Sequence, residues 1–293
     1  MYLVTGASGH LGQLVISNLL ETHKIPASKI IATTRDPKKL AGLAAKGVNV
    51  RAADFDDTAN LVEAFKGATR LLLISTDAID RPGHRIVQHT NAVAAAEKAG
   101  VTHVIYTSMP NPDNSPLLLA PDHEATEKAL AESKLKGWTL LRNHWYFENL
   151  FYSLPHAIKS GTWYTAAGDG KIAHSAREDL AKAAAAALAS NESGKKIYTL
   201  SGAEARTTAE IAKLVSDAVG KPIAVVQVPV DGLVQGMVGS GMPEVIARVF
   251  ASFDTNTAAG RVADVTGDYK KLTSNDNTPF TSWLANNKQA FLG

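Results

Sequence analysis

The chain has 293 residues, room for one large α/β domain with an appendage or for about two domains. Lys and Arg number 30 against 28 Asp and Glu, and the basic residues gather only in pairs such as Lys38-Lys39, Lys195-Lys196 and Lys270-Lys271. A nucleic-acid partner would need a basic stripe and finds none. Cysteine is absent, which excludes disulfides, thiolate catalysis, Cys-ligated zinc and iron–sulfur clusters. It also fits a cytoplasmic protein.

The first half alternates short apolar runs with amphipathic stretches. Tyr2–Thr5, Ile30–Thr34, Val48–Ala53, Leu71–Ser75, His103–Ser108 and Trp138–Arg142 read as strands. Leu11, Leu14, Val15 and Leu19 share one face of the first intervening helix. Asn91, Ala92, Ala95 and Ala96 sit in the fourth, which Gly100 terminates as a C′ glycine. Apolar strands alternating with helices predict a parallel sheet covered on both faces, a Rossmann-type doubly wound α/β fold of order 3-2-1-4-5-6. After about Asn143 the rhythm changes. Strands are expected at Ile197–Leu200 and Ala224–Val228, helices at Glu178–Ala189 and Thr207–Val219, and a mostly helical tail from Asp231. Residues 1–150 with 176–201 are expected to form the dinucleotide-binding domain. Residues 151–175 with 202–293 would form a smaller, mostly helical substrate domain interleaved with it. No run is apolar and long enough to span a bilayer, and the N-terminus lacks the basic start and apolar core of a signal peptide.

The strongest motif is Thr5-Gly6-Ala7-Ser8-Gly9-His10-Leu11-Gly12. A strand runs into a glycine-rich turn, and the turn into a helix. Gly6 permits the turn, Gly9 lets backbone approach a pyrophosphate, and Gly12 lets the helix pack closely on the strand. The phosphates would sit on N–H groups at the positive helix end. The GxxGxxG spacing points to the short-chain reductase branch of dinucleotide binders. At the end of the second strand, where an acid would grip the ribose, the sequence reads Thr33-Thr34-Arg35. A guanidinium there suits a 2′-phosphate, hence NADPH; the alternative is a solvated Arg35 with Asp36 as the ribose acid. Asp54-Phe55-Asp56 closes the third strand, where an Asp can face adenine or cap the next helix.

TGASGHLG, Arg35, ADFDD, LLLIS, Tyr106-Thr107-Ser108, HEATEKAL, LLRNHWYFEN and AAGDGKIA together resemble the NmrA-like, atypical short-chain dehydrogenase/reductases. The resemblance runs over almost the whole chain and weakens after Asp231. It implies NADPH and two-electron reduction of a quinone or another planar acceptor. Carried over by position, it implies that Gly6–Gly12 (including Ala7, Ser8, His10 and Leu11) hold the pyrophosphate and Arg35 the 2′-phosphate. Ser75, Thr76 and Asp77 would lie along the ribose. Asn143, His144, Trp145, Tyr146, Phe147 and Glu148 would pass near the nicotinamide.

The Tyr-x-x-x-Lys pair of classical short-chain reductases is absent. Tyr106 is followed at that offset by Pro110 and Tyr146 by Leu150, while His123 and Glu124 stand near where the Tyr–Lys helix should begin. A ketone needs protonation as hydride arrives. A quinone needs it less, because its product anion is a phenolate that water can protonate. No catalytic acid is assigned. His84, Met109 and Tyr146 are expected to line the acceptor pocket; Trp145 and Tyr146 would stack on a flat acceptor or plug the seam between domains. His84, His89, His123 and His144 lack metal-ligand spacing, and no metal is expected. Arg177-Glu178-Asp179 reads as a structural helix start. The expected function is NADPH-dependent quinone reduction by a monomer or homodimer. The alternatives are a redox-inert NADP(H) sensor and a reductase of azo or triarylmethane dyes.

Overall fold

The computed structural model describes residues 1–292; Gly293 lies outside the described residues. In chain order the elements of the first part are β1 (Tyr2–Val4), α1 (His10–Glu21), β2 (Ile30–Thr34), α2 (Ala41–Ala45), β3 (Asn49–Ala52), α3 (Thr58–Phe65), β4 (Arg70–Leu73), α4 (His84–Lys98), β5 (His103–Ser108), α5 (Ala120–Glu132) and β6 (Gly137–Asn143). The remainder comprises α6 (Leu154–Ser160), β7 (Thr162–Thr165), β8 (Lys171–Ile172), α7 (Arg177–Ala189), β9 (Lys195–Leu200), β10 (Arg206–Thr207), α8 (Thr208–Val219), β11 (Ala224–Gln227), α9 (Val230–Gly239), α10 (Glu244–Ala258), α11 (Asp268–Thr273) and α12 (Phe280–Leu292).

Seven strands form one parallel sheet in the order β3-β2-β1-β4-β5-β6-β9. This is the expected doubly wound α/β Rossmann-like order with one strand added, and its direction of winding reverses between β1 and β4. Successive strand residues point to opposite faces, so each face has its own apolar layer. Val4, Leu72, Ile105 and Leu141 pack with α1 and α7. Leu3, Leu71, Val104 and Leu140 pack with α3, α4 and α5.

Alanine spacing explains how α7 fits. Ala183, Ala184, Ala185 and Ala187 are buried against α1 and the sheet; small side chains let two helices and a sheet approach closely. The ends of α7 are capped from far away. The Arg70 guanidinium, on β4, donates to the carbonyls of Ala187, Leu188 and Glu192 at 2.9 Å each. Glu148 accepts the N–H of Arg177 at 3.0 Å. Both sets of groups lack intrahelical partners.

The later elements build a smaller body over the carboxyl edge of the sheet. The strand expected at Ala224–Val228 is present but pairs with β7 in parallel, outside the main sheet. β8 and β10 form a further antiparallel pair. Phe147, Phe280 and Trp283 form an aromatic nucleus with ring centroids 5.2–6.0 Å apart. α9 and α10 pack on each other through Leu233, Val234, Ala247 and Ala251. Among the described residues no helix is long and apolar enough to cross a membrane.

Candidate functional site

Strands β1, β2, β4, β5 and β6 all end at one edge of the sheet, and the functional side chains follow from those ends. After β1 the chain turns at Gly6, whose φ of +58° lies in the left-handed region open to glycine. Gly9 is the residue before α1 and offers no side-chain cap. The first N–H groups of the helix therefore face outward unsatisfied. A Cβ on Gly12 would stand 2.5 Å from the Gly6 carbonyl oxygen and 2.8 Å from Ala7 Cα, so only glycine lets the helix rest on its own turn. A Cβ on Gly9 would meet only the Gly6 oxygen at 3.3 Å; the space above it is open. Gly9 and His10 are exposed, whereas Ala7 and Leu11 are buried in the core. The cradle is thus backbone on top and apolar side chains beneath, a shape and polarity that fit a pyrophosphate.

Arg35 follows β2 and Asp77 lies beyond β4. Their side chains, 75% and 91% exposed, approach to 3.9 Å on either side of the turn. Thr34 fixes the base of this corner through its hydroxyl, 2.9 Å from Ser8 Oγ. Asp36 turns elsewhere: its carboxylate accepts the Lys38 N–H at 3.1 Å and caps a short 3₁₀ turn. A guanidinium free in solvent beside the glycine turn, with the neighbouring acid occupied, suits a 2′-phosphate. After β3, Phe55 is buried and Asp54 exposed, with Asp54 accepting the Asp56 N–H at 3.0 Å. The acid that caps α3 is Asp57, which accepts the Asn60 N–H at 3.0 Å.

Further along the edge is a cavity of about 170 Å³. Its floor is Ser75, Thr107, Ser108 and Met109 from the ends of β4 and β5, with Asn143 to Tyr146 from the end of β6. Arg85 and His123 close it from α4 and α5; Phe253, Asn256 and Thr257 cover it from α10. Trp145 stacks on Phe253 with centroids 3.7 Å apart, so this indole is both a wall of the cavity and part of the seam. Arg177 lies over the Tyr146 ring at 5.2 Å.

Two residues here carry buried polar atoms that no protein group pairs with full hydrogen-bond geometry, although Asn143 lies beside the Tyr146 hydroxyl and His144 beside the Ala173 backbone. Neither amide atom of Asn143 and neither ring nitrogen of His144 has a hydrogen-bond partner, although both residues are buried at the cavity. Buried polar atoms without partners are rare and costly. A carboxamide such as that of nicotinamide would satisfy the Asn143 amide, donor to acceptor and acceptor to donor. Burial pulls the His144 pKa to about 4, so its ring is neutral.

Other expected residues lie elsewhere. His84 sits at the start of α4, its Nε2 2.8 Å from Asp56 Oδ1, and is not part of the cavity wall. Phe147 is in the aromatic nucleus, and Glu148 is held by the Arg177 N–H and by the Trp283 indole N–H at 3.3 Å. Both support the backbone that carries Asn143–Tyr146. Thr76 meets His89 through its N–H at 3.0 Å. Tyr106 is fully buried on β5 beneath the cavity floor, and burial raises its pKa. Arg85 and the α10 wall were missed by the sequence reading. The 253, 256, 257 spacing of one helix face was the available signal for the wall; nothing local marked Arg85. Among the described residues no cluster of three or more His, Asp or Glu is arranged to hold a metal.

A doubly wound sheet with a glycine turn, an Arg beyond β2 and a cavity at the carboxyl edge defines a dinucleotide-binding α/β protein of the short-chain reductase type. A model of the NmrA-like family matches residues 2–284, and the chain belongs to that family. It is 39% identical over 278 residues to quinone oxidoreductase 2 of Escherichia coli (strain K12), spanning 95% of each chain. The crystal structure of NADPH-dependent quinone oxidoreductase from the same organism, complexed with NADPH, superposes with a TM-score of 0.93 at 38% identity, covering 99% of this chain and 100% of that one. The Citrobacter sp. triphenylmethane reductase complexed with NADP(H) gives a TM-score of 0.89 at 36% identity, with 98% and 99% covered.

Proposed function

We propose that this protein is an NADPH-dependent oxidoreductase that reduces a quinone. The observation that carries the reading is the Asn143 amide, without a hydrogen-bond partner, at a cavity on the same carboxyl edge of the sheet as the glycine turn and Arg35. The similarity to the E. coli quinone oxidoreductase over nearly the whole chain supports it. Residues 1–150 with 176–201 would form the dinucleotide-binding domain, and 151–175 with 202–293 the acceptor domain. We place the protein in the cytoplasm, acting as a monomer or homodimer without nucleic acid or membrane.

In this reading the Gly6–Gly12 backbone holds the pyrophosphate, Arg35 the 2′-phosphate, and Ser75, Thr76 and Asp77 border the ribose. Bound dihydronicotinamide supplies a hydride. Asn143 orients its carboxamide, and Tyr146, Met109 and Trp145 press the planar acceptor against it while excluding water. Burial keeps the Tyr146 and Tyr106 protons in place. No Tyr–Lys pair feeds a proton to the acceptor, which suits a product anion as stable as a phenolate.

Reduction of triarylmethane dyes is a second reading, supported by the likeness to triphenylmethane reductase. The experiment is NADPH oxidation followed at 340 nm by purified protein against small quinones, triarylmethane and azo dyes, and aldehydes. Turnover with quinones is expected. Turnover with dyes only would transfer the assignment to the second reading, and tight NADPH binding with no turnover on any acceptor would make the protein a sensor.

A further inference from the structure

Between the cavity and the protein surface runs a strip of apolar side chains that the proposed reaction leaves unused. On α10, Ile246, Phe250, Phe253 and Thr257 recur at helical spacing and so share one face. Phe253 and Thr257 line the cavity. Ile246 and Phe250 continue the same face outward, about 10 Å along the helix from Phe253 to Ile246. The rings follow one another. Trp145, in the cavity wall, stacks on Phe253 with centroids 3.7 Å apart. Phe253 and Phe250 are 6.4 Å apart, and Phe250 meets Tyr152 edge to face at 5.4 Å. Tyr152 closes the 3₁₀ turn Phe147–Tyr152 that follows β6.

The far end of the strip is open. Tyr152 is 70% exposed, and Ile246 and Phe250 are half-buried. Among the described residues these three join none of the five apolar clusters. Leu118, also exposed, stands beside α10, its N–H donating to Ser252 Oγ at 3.1 Å. The charges of α10 are engaged elsewhere. Arg248, on the opposite side of the helix, is held by Glu244 at 2.7 Å. The Asp254 carboxylate accepts the Thr165 hydroxyl and the Ala166 N–H at 2.7 Å each. Single exposed apolar residues need no explanation, but a run of aromatics continuous with a ligand cavity does.

Size and exit route indicate what lies there. The cavity, about 170 Å³, is smaller than the roughly 300 Å³ at which pockets for drug-sized molecules begin. In the proposed reaction the dihydronicotinamide takes part of it, which leaves room for an acceptor's ring and little more. Of the cavity wall, solvent reaches Ser75, Leu119, Trp145, Tyr146 and Phe253. Ser75 and Tyr146 lie on the proposed cofactor track. A substituent on the acceptor therefore leaves past Leu119, Trp145 and Phe253, directly onto the strip.

We propose that the Phe253–Phe250–Tyr152 strip, flanked by Leu118, binds an extended apolar substituent of the acceptor, an alkyl or isoprenoid chain on a quinone ring. The proposal rests on the quinone-reductase reading and adds the substrate class: tailed quinones are preferred over bare rings.

The test compares two acceptors with one headgroup, 2,3-dimethoxy-5-methyl-1,4-benzoquinone and its 6-decyl derivative, both below their aggregation limits. A fully buried methylene is worth about fourfold in affinity, and the strip covers a chain from one side only, so the decyl compound should show a kcat/KM at least about tenfold higher, carried by KM. Phe250→Ser should lower the ratio of the two kcat/KM values about tenfold and Tyr152→Ser about threefold. Tyr152→Phe, which keeps the ring, should retain the parent's ratio. Should Phe250→Ser fail to fold by circular dichroism, the exposed Tyr152→Ser carries the expectation by itself. If the parent oxidises NADPH with neither quinone, the functional reading fails and the strip with it. If the bare ring is turned over but the decyl chain brings no gain, or a gain that both serine variants leave intact, the strip is overturned and the functional reading stands. A concentration-dependent dimer that Tyr152→Ser dissociates, seen together with no gain from the chain, would give the strip to a second copy of the protein instead.

Discussion

Arg35 is the side chain on which the proposed preference for NADPH rests. It is mostly exposed, beside the glycine turn, with a single carboxylate 3.9 Å away. An exposed pair of this kind contributes little to folding, which leaves the guanidinium available to a phosphate. NADPH is therefore expected to bind more tightly than NADH. Arg35→Ala should remove most of the preference, roughly 10- to 150-fold for a charge-assisted contact of about 1.5–3 kcal/mol. Fluorescence titration of both dinucleotides checks this; an unchanged ratio would place the 2′-phosphate elsewhere. Gly9→Val tests the phosphate cradle. The new Cβ meets only one oxygen, at 3.3 Å, so the fold should persist by circular dichroism while NADPH binding is lost. Normal NADPH affinity in that folded variant would locate the pyrophosphate away from the turn. Arg35 and the three glycines could be singled out in the sequence because their expected roles depend on backbone within a few residues. The Arg85–His123 contact was not. It joins residues 38 apart in sequence, and nothing in either neighbourhood announces the other.

Elements were legible where their signals are local and their partners many. β1, β2, β5 and the α4 terminus at Gly100 fall where apolar runs and the C′ glycine place them. The fourth strand closes at Leu73 rather than Ser75, because Ile74 and Ser75 leave the ladder to bond the hydroxyls of Thr5 and Thr107. β7, β8 and β10 were missed. They are two to four residues long, and β8 and β10 pair only with each other, too short for a period to show. The contact of α1 with its own turn gives a prediction at this scale. Gly12→Ala places a methyl 2.5 Å from the Gly6 oxygen and should destabilise the protein by about 1–3 kcal/mol, as overpacking does. At about 2–4 °C per kcal/mol the thermal midpoint should fall by several degrees. A midpoint equal to the parent's would show that α1 can lift from the turn without cost.

Across the whole molecule, five of the nine histidines share one property. His89, His103, His123, His144 and His174 are buried, and burial lowers the pKa of each. The values fall to about 3 for His89 and His174 and about 4 for His103 and His144; His123 is displaced in the same direction. The unfolded chain holds these rings near 6.5. Below that pH the unfolded state binds protons that the folded state refuses, so stability falls as pH falls. The loss should begin near pH 6.5 and steepen toward pH 5, a range in which ordinary carboxylates do not yet titrate. Unfolding at pH 5 should take up roughly four to five protons. Urea midpoints measured between pH 8 and pH 5 check this, and a flat profile down to pH 5 would mean that these rings titrate normally in the fold.

The sequence by itself determined the sheet and the family and singled out the glycine turn and Arg35, because each rests on short-range spacing. Strand period, turn glycines and helix ends are set by neighbours within about one turn of chain. It also located the segment Asn143–Tyr146, although not which of its side chains would be left unpaired. Only the tertiary structure decided that α10 covers the cavity, that His84 stays outside it, that Phe147 and Glu148 support the backbone, and that Arg85 of α4 meets His123 of α5. Those outcomes depend on how α4, α5 and the late helices pack over one sheet edge. Burial and hydrogen-bond pairing are then imposed by groups tens to more than a hundred residues apart, and no local pattern records them.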